Sequence, residues 1–265
     1  MRATTPTISL RACRRLHSRK ERRRTGLFLV EGIRPVRAAI ESSHTIEHVI
    51  HAPDLLREGF GSETVDIARA RGIPCMAVGR RAFASISTRE NPHGIACVGR
   101  QAWHTLDDLR PDSGLVVALH EPQDPGNLGT IIRTCEAVGV DGLILIGNAV
   151  DPWHPAALRA AMGATFGVPL VACEEASFLD WAERRRLPVV GTSDHAETDY
   201  ATHRYDRPFV LLMGSERQGL PSTLEAAATS MVRIPMKGSV DSLNLSIATA
   251  LVLYEARNQA LRTMA

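Results

Sequence analysis

Short apolar runs and amphipathic stretches alternate along the chain, and that alternation sets the expected elements. Ile8, Leu10 and Leu16, spread among basic residues as far as Lys20, predict a weakly patterned helix. The run Leu27-Phe28-Leu29-Val30, bracketed by Gly26 and Gly32, reads as a buried strand because its apolar residues are continuous. A helix over 33–40, a strand over 46–52, a helix near 63–70 and strands at 73–78 and 94–99 complete this part. Strands alternating with helices predict an α/β sandwich.

Between Gln101 and Gly114, Trp103, the pair Asp107-Asp108, Pro111 and Gly114 leave no apolar period of either kind. This stretch is the expected linker, 101–114, between a first domain at 1–100 and a second at 115–265. Beyond it the alternation restarts: strand 115–119, helix 128–137, strand 143–146, helix 155–162, strand 168–171 and helix 178–186. Strands at 189–192 and 209–213, a short helix after Pro221, a strand over 231–234 and a long helix over 242–261 follow. Along that last helix Leu243, Ile247, Ala250, Leu251 and Tyr254 form one apolar face, with Glu255, Arg257 and Asn258 largely outside it. The face can cover its own sheet or a second subunit, and packing on its own core is expected. Periodicity alone predicts an ordinary doubly wound sheet.

Composition changes this picture little, but charge changes it considerably. The length of 265 residues suits two modest domains, and 44% hydrophobic and 23% charged residues with a mean hydropathy of −0.07 are ordinary for a globular protein. No stretch approaches the roughly 20 apolar residues of a membrane span, and the Arg-rich start lacks the apolar core of a secretory signal. The expected location is therefore the cytoplasm, with no membrane partner. Cys13, Cys75, Cys97, Cys135 and Cys173 are odd in number and never in a C-x-x-C pair, so reduced and mostly buried thiols are expected. Residues 1–37, from Arg2 to Arg37, hold eleven Arg or Lys against Glu21 and Glu31, a balance of +9 that leaves −7 for the rest of a chain of net charge +2. A basic leader on an acidic remainder suits a polyanion, since each cation set against a phosphate releases counterions. A merely solvated helix is the competing explanation.

The candidate chemistry gathers in three loops that each follow an expected strand, where open α/β sheets place their ligands. The first runs from His120 to Arg133 and holds Asn127, an N-cap by type, with Arg133 six residues on. The second, Met213-Gly214-Ser215-Glu216-Arg217-Gln218-Gly219, uses glycines that let backbone groups approach a ligand closely. The third, from Ile234 through Met236 to Ser246, enters the long helix with Ser242, Leu243 and Asn244, and it also reads as a capping segment. No G-x-G-x-x-G follows a strand, no phosphate-binding G-x-x-x-x-G-K-[ST] occurs, and Gly214-Ser215-Glu216 is not a nucleophile elbow. His44, His48 and His51 would share a helix face, but Ile46, Val49 and Ile50 favour a strand that turns His51 away, so no metal site is expected.

In this order, Asp124-Pro-Gly-Asn-Leu-Gly-Thr-Ile-Ile-Arg133, Gly214-Ser-Glu-Arg-Gln-Gly-Leu220 and Ser242-Leu-Asn-Leu-Ser-Ile-Ala-Thr-Ala-Leu-Val-Leu-Tyr-Glu255 resemble the three motifs of the SpoU family of RNA ribose 2′-O-methyltransferases, in the SPOUT superfamily. The resemblance spans about 115–259, and the N-terminal part, including Gly26-Leu-Phe-Leu-Val-Glu-Gly32, is similar to the ribosomal-protein-like RNA-binding domain often fused to these enzymes. It implies an α/β trefoil-knot catalytic domain, S-adenosylmethionine as cofactor, a homodimer whose site uses both chains, and structured RNA as partner, rRNA ahead of tRNA and not DNA. The implied cofactor contacts are Gly214, Ile234 and Leu243, with Met213, Met236 and Ser242 beside them. Arg133 is the implied catalytic residue, with Asn127 and Asn244 orienting it and the substrate, and Glu216 holding the loop or positioning a donor. A guanidinium with a pKa above about 12 is a poor base, so the physical reading of Arg133 is phosphate binding and stabilisation of a developing alkoxide. Ala156 and Ala161 stand where family members often carry Lys and Ser. A tRNA ribose methyltransferase and a non-catalytic RNA-binding or ribosome-assembly protein remain the alternatives.

Overall fold

The computed structural model describes residues 8–56, 59–111 and 114–264; Arg2 of the basic leader and residues 112 and 113 of the expected linker lie outside these. In chain order the elements are α1 (Leu10–Arg15), α2 (Arg19–Thr25), β1 (Leu27–Glu31), α3 (Ile33–Glu41), β2 (Ile46–His51), α4 (Phe60–Ala70), β3 (Cys75–Ala77), α5 (Arg80–Ala84) and β4 (Ile95–Arg100). Then come β5 (Leu115–His120), α6 (Pro125–Val138), β6 (Gly142–Ile146), α7 (Pro155–Ala161), β7 (Leu170–Cys173), α8 (Glu175–Arg184) and β8 (Val189–Thr192). The chain closes with β9 (Thr198–Asp199), β10 (Phe209–Met213), α9 (Ser222–Ala227), β11 (Ser230–Arg233) and α10 (Leu245–Met264). These form two compact units, one from 1–102 together with 151–167, the other from 103–150 together with 168–265.

In the first unit a four-stranded sheet runs in the order β1-β4-β2-β3, antiparallel except for the parallel β2–β3 pair. The leader is two helices rather than one. Ser9 caps α1 through its side chain, and a tight turn at 16–18 ends that helix before α2 begins. Arg22 of α2 is buried, donating from Nε to Asp151 at 2.7 Å and from one terminal nitrogen to the Leu16 and His17 carbonyls at 2.8 and 2.9 Å. One cation of the leader is therefore a core residue. Phe28 stacks on Trp153 with ring centroids 5.0 Å apart and meets Phe166 at 5.5 Å, which is why 151–167 folds with this unit. The helix α5, absent from the expected elements, buries only Phe83 and is too short to show a period. His48 and His51 are buried on β2, as part of a strand.

The second unit is built on seven parallel strands in the order β7-β6-β5-β10-β8-β11-β9. Every residue of β6 and β10 is buried, the mark of strands covered on both faces. Phe178 and Trp181 of α8 close one side of this core against Val116, Ile144 and Val210. The pairing of Leu119 with Met213 sets the ends of β5 and β10 side by side, so the first two candidate loops leave the same sheet edge.

The last helix departs from expectation in two ways. It starts at Leu245 rather than Ser242, because the Asn244 side chain accepts from the Ser246 amide at 2.9 Å and caps it. Its buried face is Leu245, Thr249, Val252, Leu253 and Ala256, whereas Ile247, Leu251 and Tyr254 are 51%, 37% and 42% exposed. The helix is apolar on two sides, so the stripe read from spacing is not the one its own core uses. Among the described residues no helix is long and apolar enough to cross a membrane.

Candidate active site

The first loop delivers its residues through the start of α6. Asp124, not Asn127, is the N-cap: its carboxylate accepts from the Asn127 amide at 2.7 Å, and Pro125 opens the first turn with an imide that has no hydrogen to leave unpaired. This frees the Asn127 side chain from capping. Its Nδ2 donates to Glu216 Oε1 at 3.1 Å, and its Oδ1 accepts from Asn244 Nδ2 at 2.9 Å. Glu216 also accepts from the backbone amides of Gln123, at 3.1 Å, and Asp124, at 3.5 Å. Asn244 in turn holds Ser246, whose hydroxyl donates to Asn244 Oδ1 at 2.6 Å. One residue from each of the three loops thus joins a single directional chain of hydrogen bonds.

Beside this chain lies a cleft of about 770 Å³ at the carboxyl ends of β8, β10 and β11. Met213, Gly214, Ile234, Met236, Ser242 and Leu243 all line it, with Glu216 on its wall. The second loop is pinched shut by reciprocal backbone bonds between Ser215 and Gly219, at 3.0 and 3.1 Å. A Cβ at Gly214 would fall 2.2 Å from the Gly219 carbonyl carbon, so no larger residue permits that pinch. The volume lies within the usual range of roughly 300–1,000 Å³ for small-molecule sites. A narrow loop of glycine and exposed backbone is the donor set that suits a nucleoside carrying a short polar tail, which S-adenosylmethionine is. Sequence reasoning missed the wall formed by Thr192, Ser193, Asp194 and His195. Their signal was only positional, a loop leaving β8 at the same sheet edge as β10.

Arg133 stands apart. It is exposed on α6 and makes no hydrogen bond or ion pair among the described residues. Six residues beyond Asn127 it sits about 9 Å further along the helix and roughly a third of a turn around it, so a single chain does not join it to the Asn127–Glu216–Asn244 chain. Cys135, on the inner face of the same helix, has its thiol pushed up to about 12 by burial, which removes it as a nucleophile. Among the described residues no three His, Cys, Asp or Glu side chains gather as metal ligands would.

The family model described as the SpoU rRNA Methylase family matches residues 114–254, and that of the MRM3-like substrate binding domain matches residues 8–97. The chain is 29% identical to the 23S rRNA (guanosine(2553)-2′-O)-methyltransferase RlmP of Bacillus subtilis, over 92% of this chain and 94% of that protein. It is 33% identical to the 23S rRNA (uridine(2479)-2′-O)-methyltransferase of Streptomyces viridochromogenes, over 92% and 87%. The AdoMet-bound crystal structure of an rRNA methyltransferase from Sinorhizobium meliloti superposes with a TM-score of 0.85 at 35% identity, over 97% of each chain.

Proposed function

The chain belongs to the SpoU rRNA methylase family, and from that membership we infer that it is an S-adenosylmethionine-dependent methyltransferase acting on a ribose 2′-hydroxyl of 23S-type rRNA. The observation that carries this reading is the hydrogen-bonded chain of Asn127, Glu216 and Asn244, joined through Glu216 to a cleft lined by all six implied cofactor residues. Gly214, Ile234 and Leu243, with Met213, Met236 and Ser242, hold S-adenosylmethionine, which supplies a sulfonium-bound methyl group. A ribose hydroxyl is a poor nucleophile at neutral pH and must lose its proton as it attacks. Asn127 and Asn244 hold the substrate sugar in line, Glu216 fixes the second loop to the start of α6, and Arg133 binds the adjoining phosphate, whose oxygen would take the hydroxyl's proton, and stabilises the developing alkoxide.

Residues 1–100 are the proposed RNA-binding domain, 101–114 the linker and 115–265 the catalytic domain, of which 151–167 packs with the first unit and the final stretch threads through a loop as the family's trefoil knot. The enzyme works in the cytoplasm as a homodimer. The exposed stripe of Ile247, Leu251 and Tyr254 supports the pairing, and the isolation of Arg133 within one chain supports a site completed by the partner.

The test is transfer of labelled methyl from S-adenosylmethionine to deproteinised 23S rRNA and, separately, to total tRNA, followed by nuclease digestion. Label on an rRNA ribose is the expected result. Label on a base overturns the chemistry, and label on tRNA alone overturns the substrate.

A further inference from the structure

The first unit holds a small recess that the catalytic chemistry does not use. It is lined by His17 from the turn between α1 and α2, Glu31 at the end of β1, Thr88 and Arg89 after α5, and Arg159 from α7. We propose that Arg89 and Arg159 form a subsite for a backbone phosphate of the bound RNA. The proposal deepens the rRNA reading above and rests on it.

Four observations support the assignment. Neither guanidinium is in a hydrogen bond or ion pair among the described residues, although a carboxylate, Glu31, lines the same recess. Glu31 is engaged elsewhere: the Ser87 hydroxyl lies 2.8 and 2.7 Å from its two oxygens. A serine hydroxyl leaves the Glu31 charge in place, so the recess sets two guanidinium cations against one carboxylate, and the surplus positive charge favours a bound anion. The contrast with Arg22 is direct, since that guanidinium is satisfied by Asp151 and two carbonyls and has nothing left to offer a ligand except one buried nitrogen.

His17 adds a further contact. Its Nε2 lies 2.9 Å from the Ile86 carbonyl and donates to it, and its Nδ1 is buried with no partner. A ribose hydroxyl next to the bound phosphate supplies the missing partner. The recess encloses only about 10 Å³, room for one water-sized sphere, so the phosphate lies over the mouth between the two forks. The turn that carries His17 joins the leader helices, whose exposed Arg11, Arg14, Lys20 and Arg23 extend the positive surface. Arg159 lies between the first and second family motifs in sequence, yet folds with the first unit.

The experiment measures binding of the full-length protein to deproteinised 23S rRNA over a range of salt concentrations. The proteins compared are the wild type, Arg89→Gln with Arg159→Gln, Thr88→Glu alone, and Arg184→Gln as a charge control. Each phosphate contact contributes roughly 0.7–0.9 to the slope of log affinity against log salt. The double variant is expected to lose about 0.7–0.9 from that slope and roughly tenfold or more in affinity, with S-adenosylmethionine binding unchanged. Thr88→Glu adds a carboxylate at the rim without removing any packed atom, so it is expected to weaken RNA binding even if the double variant folds poorly. A slope and affinity in both that match Arg184→Gln, in a wild type that methylates rRNA, overturn the recess alone. A wild type that neither binds nor methylates rRNA overturns the rRNA reading and the subsite together.

Discussion

Arg133 and Asn127 share a helix, yet only Asn127 meets the Glu216 carboxylate. If Arg133 acts on the phosphate and the developing alkoxide, its loss must cost turnover and spare cofactor binding. Arg133→Ala is expected to lower kcat by about a hundredfold or more, the usual cost of removing one donor to a developing oxyanion. Arg133→Lys should recover only part of that, because an ammonium lacks the planar fork. Steady-state kinetics with a parallel calorimetric titration of S-adenosylmethionine check both, and full turnover in the alanine variant would exclude the role. The residue types were legible in the sequence, but their partnerships were not. Nothing in the spacing told Asp124 from Asn127 as the cap, and that choice decides whether the Asn127 amide is free to reach Glu216.

At the scale of elements, the strands were the most legible feature, because β1, β5, β6 and β10 are continuous apolar runs with turn residues at their ends. The helix α10 shows why helices were less so. A helix with apolar residues on both its buried and its exposed side carries two stripes, and a single period read along it selects one of them arbitrarily. Here the selected stripe, Ile247, Leu251 and Tyr254, is the exposed one. Such a stripe left to water is unfavourable by roughly 25 cal/mol for each Å² of apolar surface. Leu251→Asp is accordingly expected to turn the proposed homodimer into a monomer without unfolding it, as read by sedimentation equilibrium with circular dichroism. A wild type that sediments as a monomer would reject the pairing.

The whole molecule follows a division that the sequence concealed. Domain boundaries are sought where composition changes, and the linker at 101–114 is such a place, but residues 151–167 return to the first unit from the middle of the second. Their apolar residues look like any other helix of an α/β fold; only the stacking of Trp153 on Phe28 and the bond from Arg22 to Asp151 show where they belong. Cutting the chain at the linker therefore leaves Trp153, Leu158 and Phe166 without the partners that bury them. At roughly 1.5–3 kcal/mol for each large side chain returned to water, a fragment of 103–265 forfeits several kcal/mol. All the cleft residues nevertheless remain in that fragment. It is expected to bind S-adenosylmethionine within a few-fold of the full chain, and to bind a hydrophobic dye and aggregate where the full chain does neither. A fragment that stays soluble and leaves the dye unbound would mean that 151–167 finds cover without the first unit and does not belong to it.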